Sequence, residues 1–377
     1  MSLEKFFIDG KQLCASTSSS DLSVNSFNVK SVPHNYSIEW LDSSHSAVDL
    51  INGDSEAILL ADAYFKDNYL SAVDPKIPKF YIEARENNKN INTAIKFAEF
   101  LNEIGTTKLN VVYVVGGGIL QDIGAFACAM YKRGIPWIYI PTTLLGMADS
   151  CIGGKTGLNH GGTKNLMALF AAPHRIIHDL EFLNTLPRRE ILAGFGEALR
   201  LHVTGGEAFL RKFEQNIDEA LSGDINSVKN IIISSLAVKR AVVEEDEFES
   251  SLRRSMNYGH SVGHAIEALT NFAFPHGMAI SLGIIIENNI AKSLIGLDKE
   301  TASRIEKIAK KIIDKEALDA LHAICFDDIN SVLKRDKKTL GNVLKLAIPE
   351  KLGSLIFADF MLNETTKGVV QKATLGL

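Results

Sequence analysis

Cysteine is scarce in this sequence, with four residues among 377. They lie far apart, form no Cys-x-x-Cys pair and lack the dense spacing that small secreted proteins use for disulfides. We therefore expect a protein of a reducing compartment, the cytoplasm.

An excess of basic residues and long hydrophobic runs are also missing. The formal net charge is −5, which gives no basic field for a nucleic acid. No apolar run reaches the roughly 18 to 20 residues of a membrane-spanning helix, and the N-terminus does not resemble a signal peptide. We expect small-molecule ligands and neither a nucleic-acid nor a membrane partner.

The length and the hydrophobic pattern predict two domains. A chain of 377 residues exceeds what one hydrophobic core usually organises. From Ala57 to Thr143, apolar runs alternate with helical stretches, which predicts an α/β domain with a mostly parallel sheet. After about Leu186 the pattern changes to long amphipathic helices. We predict an α/β domain over 1–185 and an all-α domain over 186–377.

The stretch VVYVVGGGILQD places three glycines between an apolar strand and a helix. Gly116 to Gly118 would let a diphosphate approach the backbone, and the helix N-terminus favours its negative charge. The spacing is not that of the common Rossmann fingerprint, and a structural turn explains a bare triple glycine about as well. Asp122, and the Pro141–Thr143 segment after the next strand, favour a nucleotide site.

A second cluster, ADSCIGGKTGLNHGGTKN, is rich in glycine and poor in hydrophobic residues. It contains Asp149, Lys155, Lys164 and Asn165, and polar catalytic groups are common on such loops. The alternative is a solvated surface loop with incidental charges. The Gly-Gly pairs favour a backbone that approaches a ligand, and the lysines suit an anion.

Three histidines lie close together in NYGHSVGHAIEALTNFAFPHG. The spacing puts His260 and His264 on one helical face, where both could bind Zn²⁺, and His276 follows in a Pro-His-Gly turn. A lone histidine is more often a hydrogen-bonded or solvent-facing residue. Three together favour a metal site, with Glu197 as one candidate among many acids for a further ligand.

Upstream of the histidines, the stretch LAVKRAVVEEDEFESSLRRSMN carries Lys239, Arg253 and Arg254. Periodicity alone predicts that these three residues are solvated helix positions. Only their closeness to the histidines in the sequence points to a functional role.

Several ordered motifs resemble the 3-dehydroquinate synthase family, within the wider sugar phosphate cyclases. They are GGGILQDIGAF, RGIPWIYIPTTLLGMADSCIGGKTGLN, KNLMALF, LNTLPRREILAGFGEALR, RRSMNYGHSVGHAIE, HGMAISLG and RDKK. The resemblance runs from about Asp62 to Lys338. It implies an NAD-binding α/β domain, a helical domain with a catalytic Zn²⁺ or Co²⁺, and a homodimer.

The same resemblance assigns roles to individual residues. The implied metal ligands are Glu197, His260 and His276, whereas His264 contacts substrate. The other implied active-site residues are Asp149, Lys155, Asn165, Arg200, Lys239, Arg253, Asn257 and Lys337 or its neighbour Lys338, with Arg133 acting on the phosphate of the partner's site. The implied NAD-binding residues are Asp62, Glu86, Lys89, Gly117, Gly118, Asp122, Thr142, Thr143, Lys164, Phe182 and Thr185.

Two positions depart from the family pattern. Arg200 stands where lysine is common, and a guanidinium presents a wider donor fork than an ammonium. Tyr64 stands where a small polar residue is usual, near the adenosine side of the cofactor. The first departure concerns the substrate, and the second concerns cofactor affinity.

The implied reaction converts 3-deoxy-D-arabino-heptulosonate 7-phosphate into 3-dehydroquinate and phosphate. It proceeds by oxidation, phosphate elimination, reduction and aldol closure, so NAD is not consumed. Lys239 and Arg253 would bind the substrate carboxylate. The alternatives are a cyclase of another heptulose phosphate, such as sedoheptulose 7-phosphate, and a metal-dependent NAD polyol dehydrogenase.

Overall fold

The computed structural model describes residues 3–17, 26–42, 44–324, 326–334 and 339–375. The chain divides into two compact units. The α/β unit is Leu22–Leu186, and the helical unit combines Met1–Asp21 with Pro187–Leu377. The division after Leu186 lies one residue from the predicted boundary. The first strands, however, belong to the helical unit and not to the α/β unit that we predicted for them.

The strands of both units, numbered along the chain, form three sheets. They are β1 (Leu3–Ile8), β2 (Lys11–Ser16), β3 (Ser26–Val29), β4 (Tyr36–Trp40), β5 (Ala57–Asp62), β6 (Lys79–Ile82), β7 (Val111–Gly116), β8 (Trp137–Pro141), β9 (Lys155–His160), β10 (Thr163–Phe170), β11 (Arg175–His178), β12 (Thr339–Leu340), β13 (Val343–Lys351) and β14 (Ser354–Met361).

The helices are concentrated in the second half of the chain. They are α1 (Ala47–Asn52), α2 (Ile91–Glu103), α3 (Gly118–Met130), α4 (Arg188–Gly205), α5 (Glu207–Leu221), α6 (Ile225–Glu245), α7 (His260–Leu269), α8 (His276–Leu294), α9 (Lys299–Ala309), α10 (Lys315–His322), α11 (Phe326–Leu333) and α12 (Glu364–Leu375). None of these helices is long and apolar enough to cross a bilayer, within the residues that the structure describes.

The α/β unit is built on a seven-stranded sheet in the order β3-β4-β11-β8-β7-β5-β6. Every pairing is parallel except that of β3 with β4. The central strands β5 and β7 are buried almost throughout, as expected for apolar strands covered on both faces. The predicted mostly parallel sheet is therefore confirmed.

The helical unit contains a five-stranded sheet that we did not predict, in the order β12-β13-β14-β1-β2. The hairpin β1–β2 joins it through parallel pairing of Phe7 with Ser354. The apolar face of this hairpin buries Phe6 and Ile8 against Leu201 of α4 and Val238 of α6. The N-terminal residues therefore complete the core that supports α4 and α6.

Candidate active site

In the α/β unit, candidate ligand-binding groups lie at the carboxyl ends of the parallel strands. Asp62 ends β5, Gly116 ends β7 and Pro141 ends β8. The strand β5 has β6 on one side and β7 on the other, so the direction of the chain across the sheet reverses between β5 and β7. Open α/β sheets bind ligands at such a switch point.

The predicted glycine turn joins β7 to α3. Gly117 is the N-cap of α3 and makes no side-chain capping bond. A Cβ on Gly117 would lie 2.9 Å from Thr143 Cγ2, and the Thr142 amide donates to Gly116 O at 3.1 Å. Only a residue without a side chain leaves this helix N-terminus accessible in the way a diphosphate requires.

Ionic and polar contacts tie the neighbouring segments of the α/β unit to α3. Lys89 Nζ lies 2.6 Å from Asp122 Oδ2, and the Gly157 amide donates to Asp122 Oδ1 at 3.3 Å. Asn159 Nδ2 donates to Glu86 Oε1 at 2.7 Å. Burial raises the pKa of Asp122 and outweighs the opposing effect of Lys89. Three of the cofactor residues inferred from the resemblance, Glu86, Lys89 and Asp122, therefore contact one another or the β9 strand.

The second glycine-rich cluster forms a β-hairpin from Lys155 onward, and the predicted loop is wrong for this part. The strands β9 and β10 pair antiparallel around Gly161 and Gly162, whose φ angles are 57° and 79°. Consecutive positive φ angles suit the tight turn of a two-residue hairpin. Lys155 begins β9 and is exposed, while Lys164 is exposed on β10.

Asn165 departs from ordinary strand geometry on this hairpin. Its φ is 52°, in the left-handed region that costs a non-glycine residue energy. Its amide donates to Asn159 Oδ1 at 2.9 Å. This contact holds the distorted backbone at the irregularity of the β9–β10 pairing, between Thr163 and Met167.

Four other predicted positions of the α/β unit have clear surroundings. Asp62 accepts a hydrogen bond from the amide of Tyr64 at 3.1 Å, while the Tyr64 side chain is exposed. Asp149 lies in the helical turn Gly146–Ser150, and Thr185 ends the turn Leu180–Thr185. The Phe182 side chain is 1% exposed and packs edge-on against Phe65, so its role includes support of the core.

Arg133 lies just after α3, in a strained helical turn, Tyr131–Arg133. Its φ is 62° and that of Lys132 is 46°. Two consecutive non-glycine residues in the left-handed region are unusual, and such strain is concentrated at functional sites. The Arg133 side chain is exposed on the α/β unit.

In the helical unit, glycines bring α4, α7 and α8 into backbone contact. A Cβ on Gly277 would lie 1.8 Å from Ala193 O, and one on Gly196 would lie 2.0 Å from Gly277 O. A Cβ on Gly283 would lie 1.9 Å from Gly259 O. Glu197 follows Gly196, and His276 precedes Gly277. The close approach of α4 to α8 therefore brings these two side chains together.

Four candidate donor groups converge at this helix junction. Glu197 Oε1 lies 3.2 Å from His276 Nε2 and 3.6 Å from His260 Nε2. Ring nitrogens of His260, His264 and His276 all lie within 4.8 Å of one another. Ligands about 2.0 to 2.1 Å from a tetrahedral Zn²⁺ are roughly 3.3 Å apart, so the Glu197, His260 and His276 atoms fit one metal ion.

The two oxygens of Glu197 have different environments. Oε2 accepts a hydrogen bond from Arg200 Nε at 2.8 Å. Oε1 is fully buried and has no assigned hydrogen bond among the described residues; its nearest polar atoms are Nε2 of His276 and Nε2 of His260. A buried carboxylate oxygen is costly unless a cation faces it. Without a metal that cation is a protonated His276, and a metal ion bound by the two Nε2 atoms would take its place.

Arg200 is itself 2% exposed. While its Nε donates to Glu197, its Nη1 contacts Met256 Sδ at 3.4 Å. Burial raises the pKa of Glu197, but Arg200 and the histidines outweigh it and hold the pKa well below its ordinary value. Arg200 therefore keeps Glu197 ionised.

His260 and His276, the two candidate ligands, use the same ring nitrogen to bond the protein. His260 Nδ1 lies 3.2 Å from Tyr258 O, and His276 Nδ1 lies 3.1 Å from Glu267 Oε2. Because each partner is an acceptor, each Nδ1 must carry a proton, and Nε2 remains for a metal. His264 is exposed, as suits the contact with substrate that the resemblance implies.

The charge states of these histidines differ without a metal. Burial lowers the pKa of His260 well below its ordinary value, so that its ring is neutral. Burial also lowers the pKa of His276, but contacts with Glu197 and Glu267 outweigh it and raise the pKa to about 10. A metal would therefore replace a proton on His276.

Two buried acids in this unit were missed by the sequence analysis. Glu267 holds His276 as described above. Glu287, on α8, is 0% exposed and accepts from the amides of Gly259 at 2.7 Å and Val262 at 3.2 Å. It caps the first turn of α7, where His260 lies. The available signal was an acid on an otherwise apolar helical face.

Two of the three upstream cations are buried. Lys239 is 7% exposed and Arg253 is 2% exposed, so their interpretation as solvated positions is wrong, whereas Arg254 is exposed. Asp246 accepts from the amides of Arg253 at 3.0 Å and Ser251 at 2.8 Å. This cap fixes the loop that carries Arg253.

Asn257 follows the same loop. Its Nδ2 donates to Arg254 O at 3.0 Å, and the residue is half-buried. The remaining predicted catalytic lysine, Lys337, and its alternative Lys338 lie outside the described residues.

Comparison with known proteins gives the family. The sequence model described as 3-dehydroquinate synthase N-terminal matches residues 79–193, and the C-terminal one matches residues 194–339. The 3-dehydroquinate synthase of Dictyoglomus thermophilum is 34% identical over 297 residues, 78% of this chain and 82% of that protein. The 2-epi-valiolone synthase of Actinosynnema mirum is 30% identical over 303 residues, 80% of this chain and 79% of that protein.

The fold is shared with solved cyclase structures. The structure of 2-epi-5-epi-valiolone synthase from Streptomyces hygroscopicus, with NAD⁺ and Zn²⁺ bound, has a TM-score of 0.77 at 21% identity. The structural alignment covers 93% of this chain and 99% of the Streptomyces chain. The matched family regions include the glycine turn of the α/β unit and the metal-ligand candidates of the helical unit. This chain belongs to the 3-dehydroquinate synthase family, a family of carbon–oxygen lyases.

Proposed function

We propose that this protein is a 3-dehydroquinate synthase, which converts 3-deoxy-D-arabino-heptulosonate 7-phosphate into 3-dehydroquinate and phosphate. The observation that carries the choice of substrate is the pair of buried cations Lys239 and Arg253. Cationic side chains bind a carboxylate through charge-assisted hydrogen bonds. The heptulosonate carries a carboxylate for this pair to bind, and sedoheptulose 7-phosphate lacks a carboxylate.

The proposed cofactors are NAD and one Zn²⁺ or Co²⁺ ion. The related structure from Streptomyces hygroscopicus holds NAD⁺ and Zn²⁺, and both groups suit the residues of this chain. Gly117 and Gly118 open a helix N-terminus for a diphosphate, and the buried Glu197 oxygen that faces two histidine nitrogens suits a cation. When bound, NAD⁺ supplies reversible hydride acceptance, and the metal polarises the substrate oxygen at the oxidised carbon.

In the helical unit, the metal ligands would be Glu197, His260 and His276. Both histidines hold their proton on Nδ1 and present Nε2. Arg200 keeps the second oxygen of Glu197 occupied, so that this carboxylate offers one oxygen. Lys239 and Arg253 would bind the substrate carboxylate, and Asn257 is a further proposed active-site residue.

Several polar groups are proposed to contact the phosphate of the substrate, as the family resemblance implies. Lys155 and Asn165 lie on the β9–β10 hairpin, and His264 is exposed on α7. Cationic and amide donors of this kind bind phosphate oxygens through charge-assisted hydrogen bonds. Asp149 and the lysine of the RDKK motif complete the proposed catalytic set.

We also propose that the protein acts as a homodimer in the cytoplasm. Arg133 is exposed and held in a strained backbone conformation. A fixed arginine on the surface of one protomer could bind the phosphate in its partner through paired N–H groups. Arg133 would then act on the phosphate of the partner's site, in an enzyme of the shikimate pathway.

A second candidate is a cyclase of another heptulose phosphate. Two observations favour it: the 30% identity to a 2-epi-valiolone synthase and the presence of Arg200 in place of the common lysine. Arg200 donates through Nε to Glu197, the proposed metal ligand, and an ammonium group would make this contact with a different geometry. A polyol dehydrogenase is the remaining alternative.

Phosphate release separates these functions. We expect the purified protein with NAD⁺ and Zn²⁺ to release phosphate from 3-deoxy-D-arabino-heptulosonate 7-phosphate without accumulating NADH. Release confined to sedoheptulose 7-phosphate would establish the second candidate. Accumulation of NADH equal to the substrate consumed, without phosphate release, would establish a dehydrogenase.

A further inference from the structure

The Glu267 carboxylate lies behind His276. Its Oε2 is 3.1 Å from Nδ1 of the ring, while Nε2 of the same ring is 3.2 Å from Glu197 Oε1. The Glu267 side chain is 9% exposed. We propose that Glu267 is a positioning residue, which fixes the tautomer and the orientation of His276 and thereby sets the affinity for the metal ion. The inference rests on the proposed metal site.

The helix α7 places Glu267 for this task. His260, His264 and Glu267 are separated by four and then three positions, so they share one face of the helix. The first is a proposed ligand, and the third bonds the ligand that begins α8. One helical face therefore contributes a ligand directly and orients another through a hydrogen bond.

The geometry separates this role from metal binding. In an imidazole ring the two nitrogens point in divergent directions, so an oxygen bonded to Nδ1 is turned away from an ion held by Nε2. The carboxylate makes Nε2 a better electron donor and prevents the ring from rotating. Its negative charge also offsets part of the metal charge inside a buried site.

Two substitutions separate this role from packing. Glu267→Met fills a similar volume without an acceptor, and Glu267→Gln keeps an acceptor oxygen but loses the charge. Carboxylates behind a metal-ligating histidine typically contribute 10- to 100-fold in affinity. We expect Glu267→Met to bind Zn²⁺ about 10- to 100-fold more weakly than the wild type, with Glu267→Gln between them. Glu190→Gln, at a half-buried acid on α4, is the matched control.

The affinity is measured by releasing metal from the loaded protein to a series of chelators. A second readout uses the Co²⁺-loaded protein, because the metal shifts the proton signals of its ligands far from the rest of the spectrum. The Nδ1 protons of His260 and His276 should each give an exchangeable signal. In Glu267→Met, the His276 signal should be lost to solvent exchange, whereas the His260 signal, held by Tyr258 O, should remain.

The outcomes distinguish the two proposals. A wild-type protein that binds neither Zn²⁺ nor Co²⁺ would overturn the metal site and this inference together. A wild-type protein that binds metal, with unchanged affinity in Glu267→Met, would overturn the inference alone. Equal behaviour of Glu267→Gln and the wild type, with weak binding only in Glu267→Met, would overturn the role of the charge and leave Glu267 as a neutral acceptor.

Discussion

Gly277→Ala should damage the metal site and the fold together. The new Cβ would lie 1.8 Å from Ala193 O, where ordinary contact begins at 3.4 Å. The backbones of α4 and α8 would have to separate by roughly 1.5 Å, while metal–ligand distances tolerate only about 0.2 Å. Glu197 and His276, which flank this contact, could then no longer bind one ion at full strength.

The cost follows from the kind of atom that is displaced. A backbone oxygen on a packed helix cannot rotate away, unlike the end of a flexible side chain. The destabilisation should therefore lie at the upper end of the range measured for overpacked cores. We expect a loss of about 3 kcal/mol in the free energy of unfolding of the helical unit. We also expect Co²⁺ affinity to fall by at least a factor of about 10.

Gly368→Ala is the matched control for this change. Gly368 also lies in a helix, α12, but a Cβ there would meet nothing within 4 Å. Alanine should stabilise that helix by up to about 1 kcal/mol. Chelator competition and thermal unfolding compare both variants with the wild type. Wild-type metal affinity and stability in Gly277→Ala would refute the view that this glycine contact builds the site.

Three other predictions concern residues at the edges of the site. Arg200→Lys should keep the substrate of the wild type with a modest change in kcat, because either cation can neutralise Glu197; a change of preferred substrate in the phosphate-release assay would contradict this. Arg133→Ala and Lys155→Ala chains, each inactive alone, should recover about a quarter of wild-type activity when mixed as dimers, and no recovery after confirmed exchange would place Arg133 in its own chain's site. Burial raises the pKa of Asp246, but the amides it binds outweigh this and lower it to about 2. Its stabilisation is therefore present above its unfolded value near 3.8 and lost as the pH falls toward 2. Asp246→Asn should remove that acid dependence in thermal unfolding, and it should raise KM because the loop that carries Arg253 is held less firmly. An unchanged dependence of stability on pH would show that Asp246 does not cap this loop.

Local patterns predicted the α/β unit well. The strands β5, β7 and β8 are short apolar runs, and the glycine turn before α3 follows directly from its sequence. The hairpin β9–β10 was missed because the apolar residues of β10 form one run, from Leu166 to Phe170, and do not alternate with polar ones, although most of that strand is exposed. The turn Gly161–Gly162 was the available signal, since consecutive glycines suit a two-residue hairpin.

Long-range contacts explain what the sequence could not predict. Spacing alone paired His260 with His264, and only the family resemblance suggested Glu197 and His276. These residues come together because Gly196 and Gly277 allow two distant helices to touch. In the same way, the parallel pairing of β1 with β14 joins the two ends of the chain, and no local pattern encodes that pairing.

The metal content of histidine variants tests the central claim most directly. We expect one divalent ion per chain in the wild type and in His264→Ala, measured by elemental analysis after gel filtration. His276→Ala should lose the ion, because it removes a ligand that faces Glu197 Oε1 at 3.2 Å. Loss of metal in His264→Ala with retention in His276→Ala would contradict the ligand set and make the two histidines on α7 the metal ligands instead.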